Sequence, residues 1–514
     1  MEFIHLIRSR FFKKFTFKIF LLIFCTLVSF ILVNRYMLIE PDVANSPLVW
    51  REFTHSGFKA FSDWYPTPDN WYFTAYPIHF LLFFLTGSDG VITLKIATSL
   101  FISISAFLCA CFVGKLAGKA SAFMTALSLT AMNAFIYTYG FAAHPFSHYS
   151  TVFFGLIFVL LCLKSISGRS PFYTIFASVL GVLSSASDPW FAPTFFLPAV
   201  ITYFALTLRD RVLAKGLLAL SLGFALAITQ ALPAFLNLPE QHFSLIEIEL
   251  WTRNLYWAVT LTARSLNILV FNDAYLSLLS IILTLTLFLF SLLRMPDSKE
   301  VKFFCIFSLL SVMGIFSSFT VSYANPEDIS ARFFLNVTVL VITTVFASRL
   351  SVVVKSTFCF LLIVSSLFSY HKTSKPMPEF DQTDQTYALI NFLEKNNLTF
   401  GYAGYFNYSN SVNWLSKGKI HISTILYDEN KGIGVFSIPR MQTMRSWLTE
   451  GFALNSPERQ FVMVPAIRRP NIEKPDNARL DHIQSQIGQP AETLYFNGIK
   501  IIVYNHRIDL SKLP

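Results

Sequence analysis

Apolar positions along this chain neither alternate nor keep to one helical face. They run almost unbroken for about twenty residues at a time, the length a helix needs to cross a bilayer. Eleven such runs predict transmembrane helices at 17–36, 91–114, 119–140, 149–167, 171–187, 191–208, 213–232, 268–293, 302–322, 330–348 and 351–370. A further apolar stretch, residues 77–85, is too short to cross and is placed as an interfacial helix in the first outer loop. The short alternating strands of a transmembrane barrel are not seen. After residue 370 the pattern changes. Residues 372–378 read as a linker, 389–396 as a helix and 499–505 as a strand behind Gly498. The expected fold is a polytopic α-helical membrane protein of about 11 transmembrane helices over 1–370, with an outer loop at 37–90, and a C-terminal soluble α/β domain over 371–514.

Composition narrows the class. Of 514 residues, 54% are hydrophobic and only 14% charged, with 56 Phe and a mean hydropathy of +0.53. Soluble domains carry about 25% charged residues. Disordered, collagenous, coiled-coil and disulfide-scaffold chains are excluded, as is an ordinary cytosolic enzyme. All six cysteines lie inside apolar runs, so the tail has no disulfide and no cysteine-based zinc site. The first run follows Arg8, Arg10, Lys13, Lys14 and Lys18 as in a signal peptide. No small-residue cleavage site follows Val33, so an uncleaved anchor is expected.

The net charge of +10 suggests a nucleic-acid partner until it is mapped. With the N-terminus inside, the inner segments hold seventeen basic residues and four acids, and the outer loops seven basic residues and thirteen acids. This is the positive-inside bias of membrane topology, and no nucleic acid is expected. Reading 77–85 as a span would invert every later loop and destroy the bias. The tail is therefore expected outside, in a multi-pass protein of the bacterial cytoplasmic (inner) membrane.

Four polar features stand out between the runs. The first outer loop holds Glu40-Pro-Asp42 and then Asp63-Trp64-Tyr65-Pro66-Thr67-Pro68-Asp69-Asn70-Trp71. A carboxylate here, Asp42 or Asp69, can act as general base on a hydroxyl or coordinate a divalent cation. Trp71 can stack on a sugar face or sit in the headgroup belt. The second outer turn offers His144 and His148, either as cavity lining or as a weak metal pair, with Pro145 between them breaking any regular helix. Asp188, in Ser187-Asp188-Pro189-Trp190, either caps the next helix or faces a cavity. Arg332 enters the tenth run from the acid-rich side, against the charge bias. Either a lipid phosphate or a local pair with Glu327 or Asp328 explains it. No GxxxxGK[ST], HExxH or GxSxG signature occurs, so nothing supports an ATP-driven mechanism. No motif demands a cofactor, and a divalent cation is the one candidate.

This layout resembles the GT-C superfamily of polytopic membrane glycosyltransferases, nearest in pattern to protein-mannosyltransferases and aminoarabinose transferases. The resemblance covers roughly 17–350. It rests on the acidic loop after the first span, the short helix at Tyr76-Pro77-Ile78-His79, the basic glycine turn Gly114–Lys119 and Arg332-Phe333-Phe334. It implies transfer of a sugar from a polyprenyl-phosphate donor to a glycan, lipid or protein acceptor on the outer face. It also implies an essential acid soon after the first span, which Asp42 matches in position although Val43 stands where a second acid is usual. Asp69 is its rival. Arg332, with Arg253 or Arg264, would hold the carrier phosphate, while Asp63, Trp71, His144, His148 and Asp188 would line the substrate cavity. The competing expectations are an envelope polysaccharide polymerase or ligase, a secondary transporter and a non-catalytic assembly protein.

Overall fold

The computed structural model describes residues 2–67, 69–168, 170–207, 214–239, 244–269, 274–373, 377, 381–404, 408–428, 433–439, 441–464 and 483–510. The side chains of 2–14, 274, 426–428 and 433–439 are not part of that description. Most of the expected linker and the inner basic residues Arg169, Arg209 and Arg211 therefore lie outside the described set, as do the side chains of Arg8, Arg10, Lys13 and Lys14. The chain forms two compact units, one of Met1–Met37, Pro68–Leu82 and Val91–Met377, the other of Leu38–Thr67, Phe83–Gly90 and Pro378–Pro514.

The first unit is helical. Among the described residues, seven helices are long and apolar enough to cross a membrane, from Phe15–Tyr36 to Val352–Lys372. Ala75–Thr86, Pro171–Ser187, Ala192–Thr207 and Ala214–Ile228 are shorter apolar helices. Each of the eleven expected spans is helical over most of its length. The longest helix, Val91–Thr130, turns sharply at Gly118, whose φ of 86° only glycine adopts at no cost. That turn separates the second and third spans within one basic, glycine-bearing stretch. The third span ends at Thr130 and not at 140. Asn133 stops it: its side chain caps the short helix Ala134–Tyr137 and donates to the carbonyls of Arg264 and Ser265 at 2.9 and 3.1 Å.

The span expected at 191–208 opens with a π-turn, Ala192–Phe196, before the regular helix Leu197–Thr207. Pro193 has no N–H to give the ladder, and the widened turn leaves polar backbone to be satisfied from neighbours. Ser311 Oγ donates to the Thr194 carbonyl at 2.6 Å, and Asn336 Nδ2 donates to Ser311 Oγ at 3.2 Å. Gly314 lies against the same turn. A Cβ there would stand 2.2 Å from the Pro193 carbonyl oxygen. An exposed helical Gly→Ala change gains about 1 kcal/mol. Gly314→Ala is expected to reverse that sign and cost about 1–3 kcal/mol, because backbone must move. A lowered Tm in detergent checks it. Phe158, Phe191, Phe195, Phe196, Tyr203 and Phe307 pack the adjoining core, all essentially unexposed.

The second unit is built on a six-stranded sheet of order β4-β3-β2-β6-β8-β7, with β2 Phe400–Gly404, β3 His421–Asp428, β4 Ile433–Pro439, β6 Gln460–Val464, β7 Glu492–Phe496 and β8 Ile499–Tyr504. β2 runs parallel to both β3 and β6, and the edges are antiparallel. Alternation of side chains puts Phe461, Met463, Ile501 and Val503 in one core and Val462, Val464, Ile502 and Tyr504 in the other, so both faces are covered. The expected strand at 499–505 is β8 but for its last residue, and the expected helix at 389–396 is the later part of Thr383–Lys395, with Asn396 as its C-cap. The outer-loop segment also belongs here. β1, Trp64–Tyr65, pairs with β5, Thr443–Met444. Arg51 clamps Asp89 at 2.5 Å and donates to the carbonyls of Asn413 and Trp414.

Candidate functional site

Two turns and two helix ends build the site in the first unit. The loop after Pro68 is pinned to the end of helix Pro171–Ser187. Asn70 Nδ2 donates to the Ala186 carbonyl at 2.6 Å, and the Phe73 N–H donates to Ser187 Oγ at 2.8 Å. Trp71 holds a left-handed φ of 60° between these anchors, a conformation bulky residues keep only where the surroundings impose it. The pinning brings the two carboxylates Asp69 and Asp188 into electrostatic range of each other.

Asp188 is fully buried and fully used. Its Oδ1 accepts from the Trp190 N–H at 3.0 Å, closing the turn over Pro189, while the cap position of the next helix falls on Phe191 and not on Asp188 as one reading of the sequence expected. Its Oδ2 accepts from His148 Nδ1 at 2.5 Å and from Thr151 Oγ1. His148 and Thr151 open the helix His148–Gly168. Burial pushes the Asp188 carboxyl up, but His148 and these hydrogen bonds outweigh it and hold the group below the ordinary carboxylate value. Asp69 moves the other way. Burial raises it first and the charge of Asp188 adds to that, while His148 and Arg332 oppose both without cancelling them. Two acids with values driven apart are the usual basis for unequal roles at one site.

Arg332 completes the set. The expected alternatives of a pair with Glu327 or Asp328 resolve against pairing. The Asp328 carboxylate binds Arg264 at 2.6 Å, and Glu327 is taken up in a capping box with Ser330. The Arg332 guanidinium lies between the rings of Phe141 and Phe333, 5.5 and 5.1 Å from their centroids, and its buried Nε has no hydrogen-bond partner. Phe333 also meets the His148 ring at 4.7 Å and the Trp190 ring at 4.6 Å. Trp71 stands edge-on to His148 at 5.9 Å.

The structure thus gathers Asp69, Trp71, His148, Asp188 and Arg332 within one unit. His144 belongs to the same unit, its ring stacked on Phe141 at 5.2 Å and its Nδ1 accepting from the Phe146 N–H. Arg264 is engaged by Asp328 and the Phe135 ring. Arg253 donates to the Ala324 carbonyl and to Asn254 Oδ1. Asp42 and Asp63 belong to the second unit. Asp42 sits in the turn Pro41–Ala44, and the Asp63 carboxylate accepts from the Ser446 N–H and Oγ at 2.9 and 2.5 Å. Sequence reasoning missed Thr151 and the aromatic wall of Phe141, Trp190 and Phe333. The cluster Ser184-Ser-Ala-Ser187 at the end of an apolar run was the available signal for a polar anchor point. Among the described residues, no three His, Cys, Asp or Glu side chains gather in a way that would hold a metal ion.

No family model and no curated protein matches the sequence. Solved structures do. ArnT from Cupriavidus metallidurans, bound to undecaprenyl phosphate, is 10% identical with a TM-score of 0.53, covering 94% of this chain and 97% of its own. The Archaeoglobus fulgidus oligosaccharyltransferase in complex with Zn and sulfate is 12% identical with a TM-score of 0.46, covering 86% of this chain and 68% of its own. At such identity the likeness to ArnT is one of fold, and it agrees with the layout of loops and spans: the chain is a multi-pass membrane protein that shares the fold of ArnT.

Proposed function

We propose that the chain is a membrane glycosyltransferase. It moves a sugar from a polyprenyl-phosphate carrier to an envelope acceptor on the outer face of the membrane. The observation that carries this reading is the proximity of Asp69, a carboxylate raised by burial, to Arg332, a half-buried guanidinium that no acid among the described residues holds in an ion pair. A base and an unspent anion-binding cation at one wall are what displacement from a lipid phosphate requires. The fold it shares with an ArnT that binds undecaprenyl phosphate supports the same donor class.

In this reading Asp69 takes the proton of an acceptor hydroxyl. The oxygen attacks the anomeric carbon, the bond from that carbon to the phosphate oxygen breaks, and its electron pair leaves on the carrier phosphate. Arg332 stabilises the charge that develops there. A single displacement inverts the anomeric centre. Trp71 and Trp190 offer flat apolar faces to a sugar ring. Because the counter-charge is a guanidinium, activity is expected to survive chelation of divalent cations.

The test is made in the native host. The gene is deleted, and lipid-linked sugars and envelope glycans are compared by mass spectrometry, with complementation by wild type and by Asp69→Asn at equal expression. Loss of a sugar with accumulation of its carrier-linked form, restored by wild type alone, supports the reading. An unchanged profile overturns it.

A further inference from the structure

The mechanism above leaves the shortest hydrogen bonds of the site without a task. Asp188 accepts three hydrogen bonds, from His148, Thr151 and the Trp190 backbone, and is fully buried, so it is badly placed to take an acceptor proton. It also fixes the His148 ring, because Nδ1 must carry its proton toward the carboxylate. His148 is 6% exposed. Among the described residues no group pairs with its Nε2, and that atom is not sealed away as the Arg332 Nε is. His148 is also the first residue of a long helix, where the backbone already presents positive charge. A cation there is disfavoured unless an anion compensates it. Asp188 is one such anion. Arg332, whose guanidinium also lies against the Phe333 ring, brings a positive charge to the same wall.

We infer that Asp188 is a positioning residue that holds His148 so that Nε2–H donates to the phosphate of the lipid carrier, beside Arg332. The inference rests on the transferase reading and refines it. The donation requires a proton on both ring nitrogens: His148 acts as an imidazolium whose Nδ1–H stays hydrogen-bonded to Asp188 and whose Nε2–H gives a hydrogen bond, not a proton, to the departing phosphate. The charged groups facing the ring are Asp188 from the end of Pro171–Ser187, Asp69 from the loop before Ala75–Thr86 and Arg332 from the turn Asp328–Phe334, with His144 on its own loop.

The experiment uses the full chain in phosphatidylcholine nanodiscs and a short-chain polyprenyl phosphate as probe. Binding is followed by tryptophan fluorescence and by ring ¹⁵N NMR of the histidines, with the His148 signals assigned from His148→Gln. Wild type is expected to bind with movement of the His148 Nε2 resonance. His148→Phe keeps a ring against Trp71 and Phe333 but removes the donor, and should bind about tenfold more weakly. Asp188→Asn leaves His148 in place and should lose at least about tenfold, the scale seen when the partner that orients a ligating histidine is removed. The Nε2 response should disappear with it. His148→Gln, which retains a neutral donor, should recover part of the affinity and covers the case in which the Phe variant does not fold. Folded variants that bind like wild type, or a His148 signal that ignores the probe, would overturn the inference and leave the transferase reading standing. Equal response to phosphatidic acid would overturn the assignment to the carrier. Absence of binding by wild type would overturn the transferase reading itself.

Discussion

Asp69→Asn is expected to lower kcat by about 10²–10⁴, the usual worth of a positioned general base, with a far smaller change in KM. Purified enzyme, carrier-linked donor and acceptor, followed by product mass, measure it. The pH profile makes the prediction specific. The base works deprotonated, and burial with the neighbouring Asp188 charge raises Asp69, so kcat should climb with pH along an acid limb above the ordinary carboxylate range. Asp188→Asn removes the like charge but not the burial and should move that limb down part of the way. A raised native carboxyl also costs stability: it favours the fold below the unfolded value and is a penalty once pH exceeds it. The inactive Asp69→Asn protein should therefore unfold at a higher temperature than wild type near neutral pH. If Asp42→Asn abolishes turnover while Asp69→Asn retains it, the base lies in the other unit and this assignment is wrong.

Arg332→Ala is expected to cost about 10²–10³ in kcat/KM, the range for losing one preorganised donor to a developing anion. Arg332→Lys should restore part of it, since an ammonium supplies the charge without the planar fork that lies between Phe141 and Phe333. Arg332 opposes the rise of Asp69, so its loss should move the acid limb up, opposite to the shift in Asp188→Asn. Opposite movements of one limb by two neutralising changes are hard to obtain from general damage to the fold. An unchanged limb in both variants would separate Arg332 and Asp188 from Asp69.

The helices were legible because a bilayer imposes one simple rule, and the runs obey it. Arg332 was legible for a related reason: a cation on the acid-rich side had to be explained. Its partner was not, because the choice among Glu327, Asp328 and no partner depends on Arg264, which takes the Asp328 carboxylate from 64 residues away. The rivalry of Asp42 and Asp69 could not be resolved from local sequence either. The loop that carries Asp69 is brought to Asp188 by hydrogen bonds from Asn70 to Ala186 and from Phe73 to Ser187, which span 116 and 114 residues, and no local pattern encodes those. Asp188 itself reads as a cap or a cavity acid, and one of its oxygens closes the local turn through the Trp190 N–H. The other reaches His148 across 40 residues. The π-turn was hidden behind an uninterrupted apolar run, where Pro193 was its single trace. The early loop, read as part of the membrane domain's outer surface, supplies a strand, an ion pair and a carboxylate anchor to the second unit instead.

That last arrangement has a consequence in time. Asp63 leaves the ribosome 383 residues before Ser446, the residue that occupies its carboxylate. At roughly 5–20 residues per second, the strand Trp64–Tyr65 waits on the order of 20–80 s for its partner, while ten further membrane segments are inserted behind it. During that interval its backbone edge and its tryptophan are open to any chaperone or neighbouring chain, and the second unit closes only when the last quarter of the polypeptide arrives.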